Sequence, residues 1–292
     1  MIPPPGAHGG DGRRVAEALG LDDVLDLSLS LNPVAPDLTP ILARHLGAVR
    51  RYPDPGDATA ALAKAMGVDV DRLVLTNGGA EAIALVAAEV GGRVEEPEFS
   101  LHPRGDGLLW RSNPHNPSGE LAADDAAAGV WDEAFWPLAT GTWTRGDADG
   151  GSWVVGSLTK LLSCPGLRAG YALAPSARDA DAVRRRQPAW SVNGLVADAL
   201  PELLDLVDLP GWSAHVERLR GALVEVLEAA GLRVVPGSRS PWVLVEEPGL
   251  RERLAPRGVV VRDCTSFGLP RHARVAVPDE RGLRRLAEAL AA

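Results

Sequence analysis

Cysteine, lysine and the smaller aromatic side chains are all scarce in this 292-residue chain. Its two cysteines, Cys164 and Cys264, are too few for a disulfide framework, and no Cys/His spacing suits zinc. Both read as reduced thiols in packed surroundings. No apolar run approaches the roughly 18 residues that a membrane span needs. The N-terminal MIPPPGAHGGDGRR has no apolar stretch of the kind that directs export, so cytoplasm is the expected compartment. Positive charge is also short: 30 Lys and Arg against 39 Asp and Glu leave a net charge of −9, which disfavours nucleic acid and anionic membrane as partners.

The scarcity of lysine makes each one informative. Only Lys64 and Lys160 interrupt 28 arginines, so guanidinium serves almost wherever a generic cation is needed. A primary amine, unlike a guanidinium, can lose its proton and condense with an aldehyde. Phe and Tyr are equally sparse, and Tyr52, Phe99, Phe135, Tyr171 and Phe267 all fall in or beside the motifs below.

The periodicity predicts an arm and short helix over 1–20 and a strand or extended segment over 24–31. A helix over 58–66 is expected, capped by Asp57 and closed by Gly67. RLVLT (72–76), Asn77-Gly78-Gly79 and AEAIALVAAEV read as strand, glycine turn and helix. The stretch 97–152 is loop-rich. Strands are expected at 153–157 and 169–174, then a helix from Ser213 to Gly231, strand-like runs RVV, WVLVE and GVVVR, a fourth at 274–277, and a closing amphipathic helix. The fold class is α/β with a mainly parallel sheet and a smaller C-terminal α+β unit. The expected division is an arm and start of the small domain at 1–30, a large domain at 31–208 and the small domain at 209–292.

Five segments carry chemistry. Thr76-Asn77-Gly78-Gly79-Ala80-Glu81 delivers the chain into a helix N-terminus, where unpaired amides favour a phosphate, although an ordinary strand-to-helix turn has the same look. Asn113-Pro114-His115-Asn116-Pro117-Ser118-Gly119 is a loop stiffened by two prolines that offers fixed side-chain amides. Asp132-Glu133-Ala134-Phe135 puts a carboxylate among Trp131, Phe135 and Trp136, where it needs a cationic partner such as a pyridinium N–H. Ser157-Leu158-Thr159-Lys160 presents an amine at a strand end, and Gly166-Leu167-Arg168-Ala169-Gly170-Tyr171 follows with a fixed charge. Together they supply the groups that a phosphorylated pyridine aldehyde requires.

On these residues the chain resembles the fold-type I pyridoxal-phosphate enzymes of the class I/II aminotransferase group, and within it the threonine-phosphate decarboxylases of cobalamin biosynthesis. The decarboxylase-like details are His8-Gly9-Gly10-Asp11, Leu25-Asp26-Leu27-Ser28 with Leu31-Asn32-Pro33, Arg51-Tyr52-Pro53-Asp54-Pro55, the Phe closing Asp132-Glu133-Ala134-Phe135, Pro165-Gly166-Leu167-Arg168 and Val261-Arg262-Asp263-Cys264. The resemblance implies pyridoxal 5'-phosphate bound through Lys160, with Asp132 on the ring nitrogen and Asn116 on the 3-hydroxyl. It implies that Gly79, Ala80, Ser157, Thr159 and Arg168 surround the phosphate and that Tyr52 reaches it from a partner subunit of a homodimer. Phe99 matches the stacking aromatic, with His102 as competitor. Arg274 matches the substrate-carboxylate arginine, and Asn32, Arg262 and His8 are further substrate contacts. The implied substrate is a small, phosphorylated amino acid, undergoing decarboxylation or, alternatively, histidinol-phosphate-type transamination. Two departures stand out. Only 13 residues separate Phe99 from Asn113 and 12 separate Gly119 from Asp132, where the family usually inserts a strand and a helix, so large-domain elements are expected to be missing or abbreviated. Ala80 also replaces a hydroxyl residue common in the phosphate turn. This pruning keeps a catalytically impaired cofactor-binding protein in view.

Overall fold

A computed structural model describes residues 1–6 and 8–292. Among them eleven strands form two sheets. β1 (Leu25–Leu27) stands apart from β2 (Leu73–Asn77), β3 (Arg93–Val94), β4 (Leu109–Ser112), β5 (Val130–Asp132), β6 (Trp153–Ser157) and β7 (Ala169–Leu173), which make a six-stranded sheet in the order β2-β7-β6-β5-β4-β3. Only β7 runs against the others; β3 to β6 pair in parallel. Side chains alternate between its faces as the two-residue period requires. Leu73, Leu75, Val154, Tyr171 and Leu173 join one core, while Val74, Trp153, Val155 and Ala172 join the other beneath the helix Gly79–Val90. Burial on both faces is what makes these strands read as continuous apolar runs.

β8 (Arg233–Val235), β9 (Trp242–Glu246), β10 (Val259–Asp263) and β11 (His272–Ala276) form the second sheet, in the order β1-β10-β11-β9-β8. Its edge is closed by the early strand, with Leu25 opposite Val259 in a parallel pair. The helix Leu209–Ala229 spans the two layers: Trp212 and Val216 pack in the first core, Leu219, Leu223 and Leu227 in the second. It begins four residues before the expected Ser213 because the Asp208 carboxylate caps it, accepting from Gly211 N at 3.1 Å.

Asp57 is not the cap of its helix. That helix runs Gly56–Met66 from Pro55, and Asp57 lies in its first turn, where its charge suits the dipole; Gly67 closes it in the left-handed conformation. Two further helices, Ala177–Arg186 and Gly194–Leu204, fall where no helix is expected from the apolar pattern. In the shortened intervals the strands survive as β4 and β5 and the helices do not: residues 100–108 and 119–129 are turns and loops. Among the described residues no helix is long and apolar enough to cross a membrane.

Candidate active site

Lys160 lies in the short helix Leu158–Leu161 that leaves β6 directly after the half-buried Ser157. The turn between β2 and the helix Gly79–Val90 comes up beside it. That approach needs glycine twice: Gly78 has φ +79°, and a Cβ there would lie 2.5 Å from Arg168 Nη2, while a Cβ on Gly170 would run into the Gly78–Gly79 backbone. The Arg168 guanidinium is thereby laid over the turn, next to the first amides of a twelve-residue helix.

A cavity of about 380 Å³ is lined by Lys160, Gly79, Ala80, Phe99, Asn116, Asp132, Ser157, Thr159, Arg168, Arg274, Arg262 and His8. Twelve of the fourteen residues singled out from the sequence thus meet on one space. The other two do not. The Asn32 side chain is buried away from the cavity: its Nδ2 donates to Leu161 O at 2.9 Å and its Oδ1 accepts from Val34 N at 3.1 Å. With its own N–H given to Lys160 O at 3.1 Å, Asn32 holds the lysine's backbone and does not line the cavity. Tyr52 is 75% exposed and stacks on Trp190 with ring centroids 4.4 Å apart, outside its own chain's cavity.

Burial pushes the Lys160 amine down to about 8, assisted by the positive charges of Arg274 and Arg168 and opposed by Asp132. A neutral, nucleophilic form is therefore accessible near neutral pH. The amine lies 6.0 Å above the Phe135 ring, which meets Trp242 edge-on at 4.6 Å. Trp242 is a participant that no sequence motif marks. Its Nε1–H donates to Pro117 O at 2.8 Å, and the Arg274 guanidinium lies over its ring at 4.7 Å, so it joins the proline loop to the second sheet. Arg274 Nη1 donates to Asn116 Oδ1 at 2.7 Å, which leaves the Asn116 NH₂ group for other acceptors. Burial and the nearby Arg262 hold Arg274 below its ordinary basicity.

Asp132 ends β5 and is 8% exposed. Its Oδ1 accepts from Ala134 N at 3.0 Å, and its Oδ2 is 3.0 Å from Nε2 of His102. His102 is thus behind the acid and outside the cavity, while Phe99 is on its wall, edge-on to His102. At the mouth, Gly10 N donates to Ser28 Oγ at 2.8 Å and Gly12 N to Asp26 Oδ2 at 3.0 Å. These bonds tie the arm down, and His8 is presented to the cavity beside them. Desolvation, then Arg262 and Lys160, lower its basicity.

A half-enclosed space with an amine, an acid opposite, and a helix N-terminus beside a fixed arginine is the site of a fold-type I enzyme. Residues 99–290 match the family model of aminotransferase class I and II, and the chain belongs to that family. It is 29% identical over 341 aligned positions to histidinol-phosphate aminotransferase of Halorubrum lacusprofundi, covering 95% of this chain and 92% of that protein. It is equally 29% identical over 348 positions to threonine-phosphate decarboxylase of Salmonella typhimurium, covering 97% and 95%. Both alignments are longer than the chain itself, so the relatives carry residues absent here. Histidinol-phosphate aminotransferase from Sinorhizobium meliloti, solved in complex with pyridoxal-5'-phosphate, shares the fold with a TM-score of 0.82 at 18% identity, covering 96% of this chain and 93% of that one.

Proposed function

We propose that this chain is a pyridoxal-phosphate enzyme acting on a small phosphorylated amino acid, with the cofactor held in the cavity around Lys160. The observation that carries the reading is the convergence of Lys160, Asp132, Asn116, Arg168 and Arg274 on one space. The donor set suits the group: the first amides of the helix Gly79–Val90, with Ser157, Thr159 and Arg168, match a phosphate, and Asp132 matches a protonated ring nitrogen. When bound, the cofactor supplies a ring that takes up the electron pair released at the substrate's α-carbon.

The chain's own residues do the rest. Lys160 Nζ would hold the cofactor at its aldehyde and would move a proton at the substrate's α-carbon. Asp132 would hold the ring-nitrogen hydrogen and Asn116 Nδ2 would bind the 3-hydroxyl, while Asn116 Oδ1 steadies Arg274. Arg274 binds the substrate carboxylate and so selects which bond to the α-carbon stands perpendicular to the ring. Arg262 and His8 supply charge and hydrogen bonds at the mouth for a substrate phosphate.

Decarboxylation of threonine phosphate is the reading favoured by the decarboxylase-like motifs; amino transfer from a histidinol-phosphate-type substrate is supported by the aminotransferase relative to the same degree. Supplying both substrates and following CO₂ release against keto-acid formation separates them: keto acid without CO₂ rejects the decarboxylase. Cofactor absorbance that neither substrate perturbs rejects catalysis. We further propose a homodimer through the face bearing Leu46, Val49, Tyr52 and Trp190, all more than half exposed. Sedimentation is expected to give twice the chain mass, and an active monomer overturns the assignment.

A further inference from the structure

We propose that Glu98 is a positioning residue for Asp132: its buried carboxylate favours a hydrogen on Nδ1 of His102 in addition to the one that Nε2 gives to Asp132, so that the acid faces a ring carrying a hydrogen at both nitrogens, and with it a positive charge. The proposal rests on the reading above, in which Asp132 faces the cofactor ring.

Glu98 is 2% exposed and is fixed by three donors: Ser112 N at 2.8 Å, Ser112 Oγ at 2.6 Å and Phe99 N at 2.8 Å. Its Oε1 is 3.8 Å from Nδ1 of His102, whose side chain has no exposure at all. Nδ1 has no hydrogen-bond partner, while Nε2 is 3.0 Å from Asp132 Oδ2. The imidazole therefore stands between two carboxylates, one at each nitrogen. A bare nitrogen turned toward a carboxylate oxygen, away from water, sets two electron-rich atoms against each other. A hydrogen on each nitrogen removes the conflict at both ends.

The ring cannot escape by turning, since Phe99 meets it edge-on with centroids 5.6 Å apart and Trp110 flanks it at 5.5 Å. Glu98 thus ties together Ser112 on the cavity floor, the backbone of Phe99 on its wall and, through His102, the acid at its far side. Neutralising Glu98 removes the reason for a hydrogen on Nδ1 while leaving the shape of the site nearly unchanged.

The test is the ¹⁵N–¹H spectrum of the histidine rings in the full chain, purified with and without added pyridoxal 5'-phosphate. With six histidines in the sequence, His102 is assigned from a His102→Gln spectrum. The wild type is expected to show both Nδ1–H and Nε2–H on His102; E98Q loses the Nδ1–H signal and releases the cofactor several-fold faster on dialysis, and E98D restores both. A bare Nδ1 in the wild type overturns the proposal, as does an Nδ1–H that persists in E98Q. If E98Q does not fold, the wild-type spectrum alone decides. The protein without added cofactor gives the same ring spectrum, so failure of Lys160 to form a borohydride-reducible adduct rejects the proposed function and leaves this result standing.

Discussion

The two halves of the six-stranded sheet hold their chemistry by different means. At β2, β7 and β6, strands of five residues are almost wholly buried, and the backbone ladder places Gly78, Ser157 and Lys160. Across β5, β4 and β3 the strands shrink to three, four and two residues, and the connections between them contain no helix. There the Asp132 carboxylate accepts from Ala134 N and lies against His102, which Glu98 flanks on its other side. Arg145 covers what a helix leaves open: it lies 5.1 Å over the Trp131 ring and donates from Nη2 to Asp124 O at 2.7 Å and Ala123 O at 3.2 Å. A long ladder fixes groups without needing particular residues, whereas a pruned edge makes single side chains indispensable.

The comparison is sharpest at Lys160, whose role no neighbour can replace. K160A is expected to abolish the borohydride-reducible absorbance and lower turnover on the order of 10³-fold or more, with a circular-dichroism spectrum like the wild type's. At the pruned edge the largest effect is on stability. Burial pushes the Glu133 carboxyl up to about 7, and its Oε2 has no hydrogen-bond partner. Between its ordinary value and 7 the native state binds more protons than the unfolded chain, so stability falls as pH rises through that window, by about 3 kcal/mol in total. Denaturant unfolding from pH 4.5 to 7.5 checks the slope, and E133Q is expected to flatten it.

How far the sequence disclosed this contrast differs between the halves. The strand, glycine turn and helix at 72–90 and the lysine at the end of β6 were readable, because they depend on local patterns. The Asn116–Arg274 and Trp242–Pro117 bonds join the proline loop to strands more than a hundred residues away, and periodicity carries no trace of them. Asn32 shows the limit of motif likeness, which marks a position without saying what its amide bonds. The arginine-rich helix Ala177–Arg186 buries only Ala180 and Val183, too few to stand out, and the helix Gly194–Leu204 carries Pro201 in its interior, which reads as a break even though Val196, Leu200 and Leu203 share a face. Glu98 did leave a signal: an acid between Pro97 and Phe99, in a segment otherwise suited to burial.

Two smaller effects sharpen the comparison further. R145A is expected to uncover Trp131 and release the 123–124 loop, costing about 2 kcal/mol, seen as a melting temperature lowered by about 4 °C with labelling of Lys160 intact. If R145A melts like the wild type, the pruned edge is not held by side chains in the way described. The least effect is a gain: A80S restores a hydroxyl to the phosphate turn and is expected to tighten pyridoxal phosphate by about 1 kcal/mol, or about fivefold, in a spectroscopic titration.

The parallel pairing of β1 with β10 also orders events during synthesis. Leu25 leaves the ribosome long before Val259 exists, so the earlier strand must wait for β10 before its N–H and C=O groups find their partners. The arm that carries His8 is tied to that waiting strand through Ser28 and Asp26, so the cavity acquires its mouth only once β10 has been made.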